Sequence, residues 1–256
     1  ATGMGSFIVA NNGDAANAVD DITPTAFEEA NGSGSGTYQD VGGLAAEMGI
    51  GFKASLPVLG TVSGQYVPKA DASESADKTA SADTSASVGS GMEIAIVTPM
   101  GDLPFVGAFL GGNTLTLGFA EEEVSTIANT TDRIEATAAI TGSYGNFSYG
   151  YQVESIQTGE TAAAAGPSTD SIEYRVDSIG LAYAVNDALS ISYNIMEQSQ
   201  HNIDADSSFE QETDAINIGY TVGGITLGFQ DASTDHANMV KDTKDDTRTV
   251  SVKAAF

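Results

Sequence analysis

The sequence predicts an all-β protein that folds as a transmembrane, antiparallel, up-and-down β-barrel of about twelve strands. Three observations indicate this class. Apolar and polar residues alternate along many short segments, short and long connections follow one another in turn, and no apolar run approaches the length of a membrane-spanning helix. We treat residues 1–256 as a single barrel domain.

The alternation is clearest in the last strand. Val250, Val252 and Phe256 share one face there, whereas Ser251 and Lys253 point to the other. The same period of two runs through residues 147–154, 188–195, 216–222 and 225–229. A strand with this pattern has one apolar face and one polar face.

The connections between these strands alternate in length. Short turns are predicted near 55–57, 110–113, 142–145, 186–187 and 223–224, and long polar connections at 10–43, 68–90, 121–130, 158–170, 200–210 and 234–245. This order is typical of an up-and-down barrel with short turns at one end. The strands run from about 3–9 to 248–256. Within 172–185 the apolar residues change phase, which predicts a β-bulge near Asp177.

The composition excludes several classes of function. Nine Lys and Arg residues stand against 35 Asp and Glu residues, so the formal net charge is −26. A nucleic-acid partner is therefore excluded, since binding to phosphates needs a basic surface. The sequence has no cysteine and so has neither disulfides nor thiolate metal sites.

No motif for catalysis is present. His201 and His236 both fall in predicted polar loops without a placed nucleophile, and no carboxylate pair can be singled out among the acids. We therefore predict that the protein is not an enzyme and needs no cofactor. Loop-bound Ca²⁺ is a weak alternative, since alternate acids can supply oxygen ligands but the twelve-residue calcium loop is missing; the candidates are Asp204, Asp206, Asp242, Asp245 and Asp246.

Two segments resemble a known family. The ending 249–256, Thr-Val-Ser-Val-Lys-Ala-Ala-Phe, resembles the terminal strand of Gram-negative outer-membrane barrels, which implies that Phe256 belongs to the signal for barrel assembly. The segment 19–29, Val-Asp-Asp-Ile-Thr-Pro-Thr-Ala-Phe-Glu-Glu, resembles the inward-folded constriction loop of general porins, especially the alphaproteobacterial type. The loop prediction covers residues 10–43.

The resemblance implies a function, a location and partners. We expect a water-filled pore in the outer membrane of a Gram-negative bacterium, surrounded by outer-membrane lipid, through which small hydrophilic solutes and ions diffuse passively. A homotrimer is also implied. In sixteen-stranded porins the constriction loop follows the fifth strand, whereas here it follows the first. The chain is therefore expected to lack about four N-terminal strands, and a complete twelve-stranded barrel is the alternative.

The candidate site follows from the same resemblance. Asp20, Asp21, Glu28 and Glu29 are expected on the loop in the lumen, opposite inward-facing bases on the wall: Lys53, Arg133, Arg175, Arg248 and Lys253. The excess of acids predicts a preference for cations. In the alternative interpretation the acids lie on a solvated surface loop and the bases form ion pairs between strands.

Two other functions compete with the passive porin. A substrate-specific channel would carry aromatic residues or a ring of bases in its lumen, and such aromatics are not visible on the polar faces. A structural or adhesive cell-surface β-protein would use its acidic loops to bind cations and would conduct no ions.

Overall fold

The computed structural model contains one antiparallel sheet of twelve strands, each paired with its neighbours in sequence. It describes residues 5–10, 15–32, 36–41, 49–68, 90–105, 107–122, 132–158, 172–202 and 207–254. In chain order the strands β1 to β12 are Gly5–Ala10, Gly49–Leu56, Gly60–Val67, Gly91–Pro99, Asn113–Glu122, Arg133–Tyr144, Phe147–Gln157, Ile172–Ala184, Leu189–Asn202, Ser207–Val222, Ile225–Asp235 and Lys244–Ala254. The all-β, up-and-down prediction is confirmed.

In the described ranges the helices are few and short. Three 3-10 helices occupy Asn17–Val19, Met100–Asp102 and Ala237–Met239, and one α-helical turn, α1, occupies Gly107–Leu110. Among the described residues no helix has both the length and the apolar character needed to cross a membrane.

Short and long connections alternate as the sequence predicts. The short-turn end of the sheet joins β2 to β3, β6 to β7, β8 to β9 and β10 to β11. Gly223 and Gly224 form the last of these turns with φ of 58° and 80°, a two-residue geometry that favours glycine. Two boundaries differ from the prediction. The β4–β5 connection is longer and holds two short helices, whereas β9 and β10 extend so far that only residues 203–206 separate them.

The predicted β-bulge near Asp177 is wrong. Val153 pairs with Asp177 and Gln152 pairs with Ser178, so the ladder continues without an extra residue. The apolar residues of β8 instead change face. Val176 is buried on the inner side of the sheet, whereas Ile179 and Leu181 are exposed on the outer side.

The distribution of side chains is the reverse of that in a soluble β-protein. The outer face exposes large apolar residues on nearly every strand, among them Phe7, Ile50, Phe52, Tyr66, Met92, Ile94, Leu117, Ile134, Tyr151, Ile179, Leu181, Ile191, Tyr193, Ile216, Ile218, Tyr220, Leu227, Val250 and Val252. The inner face buries polar residues, among them Gln65, Glu93, Glu135, Thr137, Gln152, Glu154, Ser192, Asn194, Gln198, Gln211, Thr213, Asn217, Gln230 and Thr234. This arrangement suits a wall with an apolar medium outside and a polar lumen inside.

The first and last strands form the edges of the sheet. Among the residues that the structure describes, β1 pairs only with β2, and β12 pairs only with β11. Among the described strand residues no ladder joins β1 to β12. Over the described residues, the wall is therefore open between these two strands.

Candidate functional site

Residues 15–32 and 36–41, here called the inner loop, lie against the inner face of the sheet. At its first described residues the inner loop contacts Glu93 on β4, whose buried carboxylate accepts hydrogen bonds from the backbone N–H groups of Ala15 (2.6 Å) and Ala16 (3.2 Å). These groups precede the 3-10 helix Asn17–Val19, where the backbone N–H groups of a helical turn lack internal partners. A carboxylate on the wall therefore binds this part of the loop.

The middle of the inner loop is bound by side chains of β7 and β9. Gln152 Oε1 accepts a hydrogen bond from the Ile22 N–H at 3.0 Å. Asn194 Nδ2 donates to the Pro24 carbonyl oxygen at 3.0 Å, and Ser192 Oγ accepts from the Ala26 N–H at 2.9 Å. These bonds satisfy backbone groups that would otherwise be buried without partners.

The end of the inner loop is bound by β9, β10 and β11. Gln230 Nε2 donates to the Glu29 carbonyl oxygen, and Gln211 Nε2 donates to the Thr37 carbonyl oxygen at 2.6 Å. The Tyr38 hydroxyl lies 2.8 Å from Thr213 Oγ1 and 2.9 Å from the Met196 carbonyl oxygen. The inner loop thus contacts the wall from β4 to β11.

Glycines on the inner face make room for the loop. A Cβ atom at Gly150 would lie 2.7 Å from Pro24 Cδ, and one at Gly180 would lie 2.6 Å from the Pro24 carbonyl oxygen. Side chains at Gly219 and Gly228 would collide with Ala26 and Phe27. Because only glycine fits at these positions, the wall forms a shallow groove for the loop.

Apolar contacts add to the hydrogen bonds. Three small clusters of side chains combine loop residues with inward-facing wall residues: Ala30 and Tyr38 with Val176, Met196, Ala215 and Ala232; Ala16 and Val41 with Ala120, Ile156 and Tyr174; and Ala15 and Val19 with Ala95 and Val97. Burial of this apolar surface stabilises one position of the loop.

The acids of the inner loop form two hydrogen-bonded pairs. The carboxyl groups of Asp20 and of Glu154 on β7 share one hydrogen bond, and those of Asp21 and Glu29 share another. The charge of Asp40 acts on both Asp20 and Asp21. The sequence prediction missed Asp40 and Glu154, although Glu154 occupies the polar phase of its strand.

The environment of these acids raises their pKa values. Burial is the largest cause that raises the pKa of Asp20, to about 6, and the charges of Asp21 and Asp40 act in the same direction. Burial and the nearby charge of Asp21 raise the pKa of Glu29 to about 9. At neutral pH we therefore expect Asp20 to be mostly ionised and Glu29 to be protonated.

Three of the five predicted bases lie on the inner face. Lys253 has its Nζ atom 5.9 Å from the centroid of the Phe27 ring. Arg133 forms an ion pair with the buried carboxylate of Glu135. Lys53 is exposed and belongs by register to the inner face, opposite Ser63.

The predicted inward orientation is wrong for Arg175 and Arg248. Arg175 is out of phase with the inward-facing Val176 and forms an ion pair with Asp177 at 2.7 Å on the outer face. Arg248 is out of phase with Lys253 and pairs with Asp231 at 3.0 Å. Both guanidinium groups therefore lie outside the lumen.

The structure describes only some of the remaining predicted residues. Phe256, Asp204 and Asp206 lie outside the described residues. Asp246 accepts a hydrogen bond from Ser233 Oγ at 2.7 Å, and Asp242 lies in a turn with a φ of 61°. In the part of the chain that the structure describes, no three His, Cys, Asp or Glu side chains are grouped so that they could hold a metal ion, including those near Asp245.

Solved structures of outer-membrane proteins share this fold. The anion-selective porin from Comamonas acidovorans matches with a TM-score of 0.59 and 14% identity, over 90% of this chain and 66% of that chain. The outer-membrane protein OmpT of Vibrio cholerae matches with a TM-score of 0.59 and 12% identity, over 96% and 75%. The outer-membrane channel DcaP of Acinetobacter baumannii matches with a TM-score of 0.57 and 12% identity, over 92% and 69%.

At this level of identity the similarity establishes the barrel fold. The chain spans 66% of the length of the Comamonas porin. No family model matches the sequence, and no curated protein matches it.

Proposed function

We propose that this chain forms the wall of a porin in the outer membrane of a Gram-negative bacterium, where small hydrophilic solutes and ions diffuse through its lumen. One observation carries the proposal: a loop is hydrogen-bonded along the polar inner face of a sheet whose outer face is apolar. Such a wall fits lipid on the outside and water on the inside. The similarity to solved porins and channels supports it.

We propose that the inner loop, within residues 10–43, is the constriction of this pore. It lies across the inner wall from β4 to β11 and therefore occupies part of the lumen cross-section. Of its acids, Asp20 and Asp21 act on Glu154 of the wall, and Glu28 and Glu29 are grouped with these two aspartates. Pore width and lining charge together determine which solutes pass.

We further propose a preference for cations. Among the described bases, Lys53 and Lys253 face the lumen, Arg133 is paired there with Glu135, and both Arg175 and Arg248 lie on the outer face. The inner loop contributes carboxyl groups close to that of Glu154. A negative potential in a narrow lumen concentrates cations.

We propose that further strands close the wall between β12 and β1 and that three such barrels assemble. In a barrel of about sixteen strands, the further strands would pair with β12 on one side and with β1 on the other. The unpaired edges among the described residues and the partial coverage of the solved porins support closure by further strands. The trimer rests on the resemblance of the inner loop to that of general porins.

A planar lipid bilayer under a KCl gradient tests these proposals together. We expect stable conductance steps, closure in three equal steps, and a reversal potential that shows K⁺ to be more permeant than Cl⁻. Arg248→Gln serves as the matched control, because its side chain is on the outer face and its loss should leave the reversal potential unchanged.

Each outcome bears on one proposal. Complete absence of conductance would contradict the porin and leave a structural surface protein as the better interpretation. A Cl⁻ preference would contradict the role of the acids but keep the pore. Closure in single steps would contradict the trimer.

A further inference from the structure

The β11–β12 connection, at the end of the sheet opposite the short turns, is a compact turn. Its residues 236–243 are here called the strap. The His236 N–H donates to the Thr243 carbonyl oxygen at 2.7 Å, and the Thr243 hydroxyl donates to the Ala237 carbonyl oxygen at 2.9 Å. Ala237 is buried. These contacts give the strap one defined shape.

Four residues of the strap adopt left-handed backbone. Seven described residues other than glycine have a positive φ, and four of them lie here: His236 at 55°, Asn238 at 57°, Met239 at 59° and Asp242 at 61°. Histidine, asparagine and aspartate are enriched in this conformation, whereas it is uncommon for methionine. Such strain persists where surrounding contacts require it, and it is concentrated at functional sites. The contacts of Met239 therefore indicate what the strap does.

Met239 contacts the inner face of the wall. Its N–H donates at 3.4 Å to Oε1 of Gln211, a residue of β10 that is 1% exposed. The other end of the same amide, Gln211 Nε2, donates to the Thr37 carbonyl oxygen of the inner loop at 2.6 Å. One buried amide group thus binds the strap through its oxygen and the inner loop through its nitrogen.

A direct hydrogen bond also joins the strap to the inner loop. The Thr37 hydroxyl donates to Asn238 Oδ1 at 3.0 Å. Thr37 is therefore held by the wall through its carbonyl oxygen and by the strap through its hydroxyl. Because Asn238 and Met239 are neighbours in the chain, the four residues Thr37, Gln211, Met239 and Asn238 form a closed ring of contacts.

The inner loop lies close to the wall on both sides of Thr37. Gly36 has a φ of 70°, and a Cβ atom there would lie 3.1 Å from Thr234 Cγ2 on β11. On the other side, the Gln39 N–H donates to Gln198 Oε1 on β9 at 2.6 Å. The ring therefore fixes the loop where it crosses from β11 towards β9.

We propose that the strap positions the inner loop and thereby sets the width of the pore, with Asn238 and Gln211 as the positioning residues. This inference rests on the proposed constriction by the inner loop. While the ring of contacts is intact, residues 36–41 stay against β9 and β10. When the ring breaks, this part of the loop moves from the wall into the lumen, and the current falls until the ring forms again.

Single-channel recordings of the whole protein in a planar lipid bilayer test this role through brief partial closures. Thr37→Val removes the hydroxyl at nearly constant volume, and Asn238→Gly removes the amide while glycine accommodates the left-handed backbone. Each variant is expected to raise the frequency of partial closures about two- to tenfold, the effect of one hydrogen bond on an equilibrium. The double variant should exceed neither single variant, because both substitutions remove the same bond.

Three further variants separate positioning from a general loss of stability. Thr37→Ser keeps the hydroxyl and should close as rarely as the wild type. Val240→Ala changes an exposed side chain of the strap and should leave the closures unchanged. Gln211→Met removes both contacts of the buried amide and should raise the frequency further than Asn238→Gly does, because the Thr37–Asn238 bond is exposed.

The dependence on the inner loop is tested in a protein that lacks residues 15–41. Asn238→Gly should have no effect there, because the strap then has no loop to hold. If the effect persists, the strap acts by itself and the inference is overturned. If the wild type conducts and both Thr37→Val and Asn238→Gly close as rarely as it does, the inference is contradicted and the porin remains. Absence of conductance in the wild type contradicts the proposed function, and the role of the strap with it.

Discussion

Replacement of residues 15–41 by a short Gly-Ser linker is expected to raise the single-channel conductance about two- to threefold, because conductance increases with the open cross-section of a pore. The inner loop fills part of the lumen and is attached from β4 to β11. The deletion removes Asp20, Asp21, Glu28 and Glu29 as well, so the preference for cations should fall in the same recording. Far-UV circular dichroism checks that the sheet is retained.

A point variant tests the same idea without deletion. A valine at Gly180 would place Cβ 2.6 Å from the Pro24 carbonyl oxygen, so Gly180→Val should push the loop away from the wall and lower the conductance. Gly112→Ala is the matched control, since its Cβ would meet nothing closer than 3.8 Å. Unchanged conductance in both the deletion and Gly180→Val would show that the inner loop does not narrow the pore.

The preference for K⁺ over Cl⁻ is expected to rise with pH in two steps. The pKa of Asp20 is raised to about 6 and that of Glu29 to about 9, chiefly by burial. A carboxyl group is neutral below its pKa, so the lumen is least negative at pH 5. It gains charge near pH 6 and again near pH 9. Reversal potentials recorded from pH 5 to pH 10 measure this profile.

Single variants assign the two steps. Asp20, which faces Asp21, Asp40 and Glu154, should account for the lower step, so Asp20→Asn removes it. Glu29, which faces Asp20, Asp21 and Glu28, should account for the upper step, so Glu29→Gln removes that one.

The exposed Asp187, in the β8–β9 turn, provides the control, and Asp187→Asn should keep both steps. A flat profile in the wild type, or a lower step that persists in Asp20→Asn, would contradict the assignment.

The fold was predictable because alternation depends only on local sequence. A strand between lipid and water must present one apolar face, and this period of two is visible in β7, β9 and β12 without any knowledge of the partners. β8 shows the limit. Its residues Tyr174 and Val176 are apolar yet face inward, because Val41 and Ala30 of the inner loop pack against that part of the wall.

The same contact explains the error at Arg175. Where the inner face is apolar, the polar phase of the strand points outward, so alternation alone assigns Arg175 to the wrong side. Arg248 is a different case. It shares its phase with the exposed Val250, so the period of two indicates the outer face. The inward prediction for Arg248 went against this alternation.

The partners of the loop acids could not be predicted from sequence. Glu154 lies 134 positions after Asp20 in the chain, and their contact depends on how the loop crosses the wall. The polar phase of β7 indicates only that Glu154 faces the lumen.

The central claim is that the inner face of this wall contacts water and the outer face contacts lipid. Single cysteines tested with a charged, water-soluble thiol reagent in lipid vesicles examine it most directly, because the sequence contains no cysteine. We predict rapid labelling of Lys53→Cys, Ser63→Cys and Ser251→Cys on the inner face, and none of Phe52→Cys, Tyr66→Cys and Val252→Cys on the outer face. Equal labelling of the two sets, or labelling of the outer set alone, would contradict the claim.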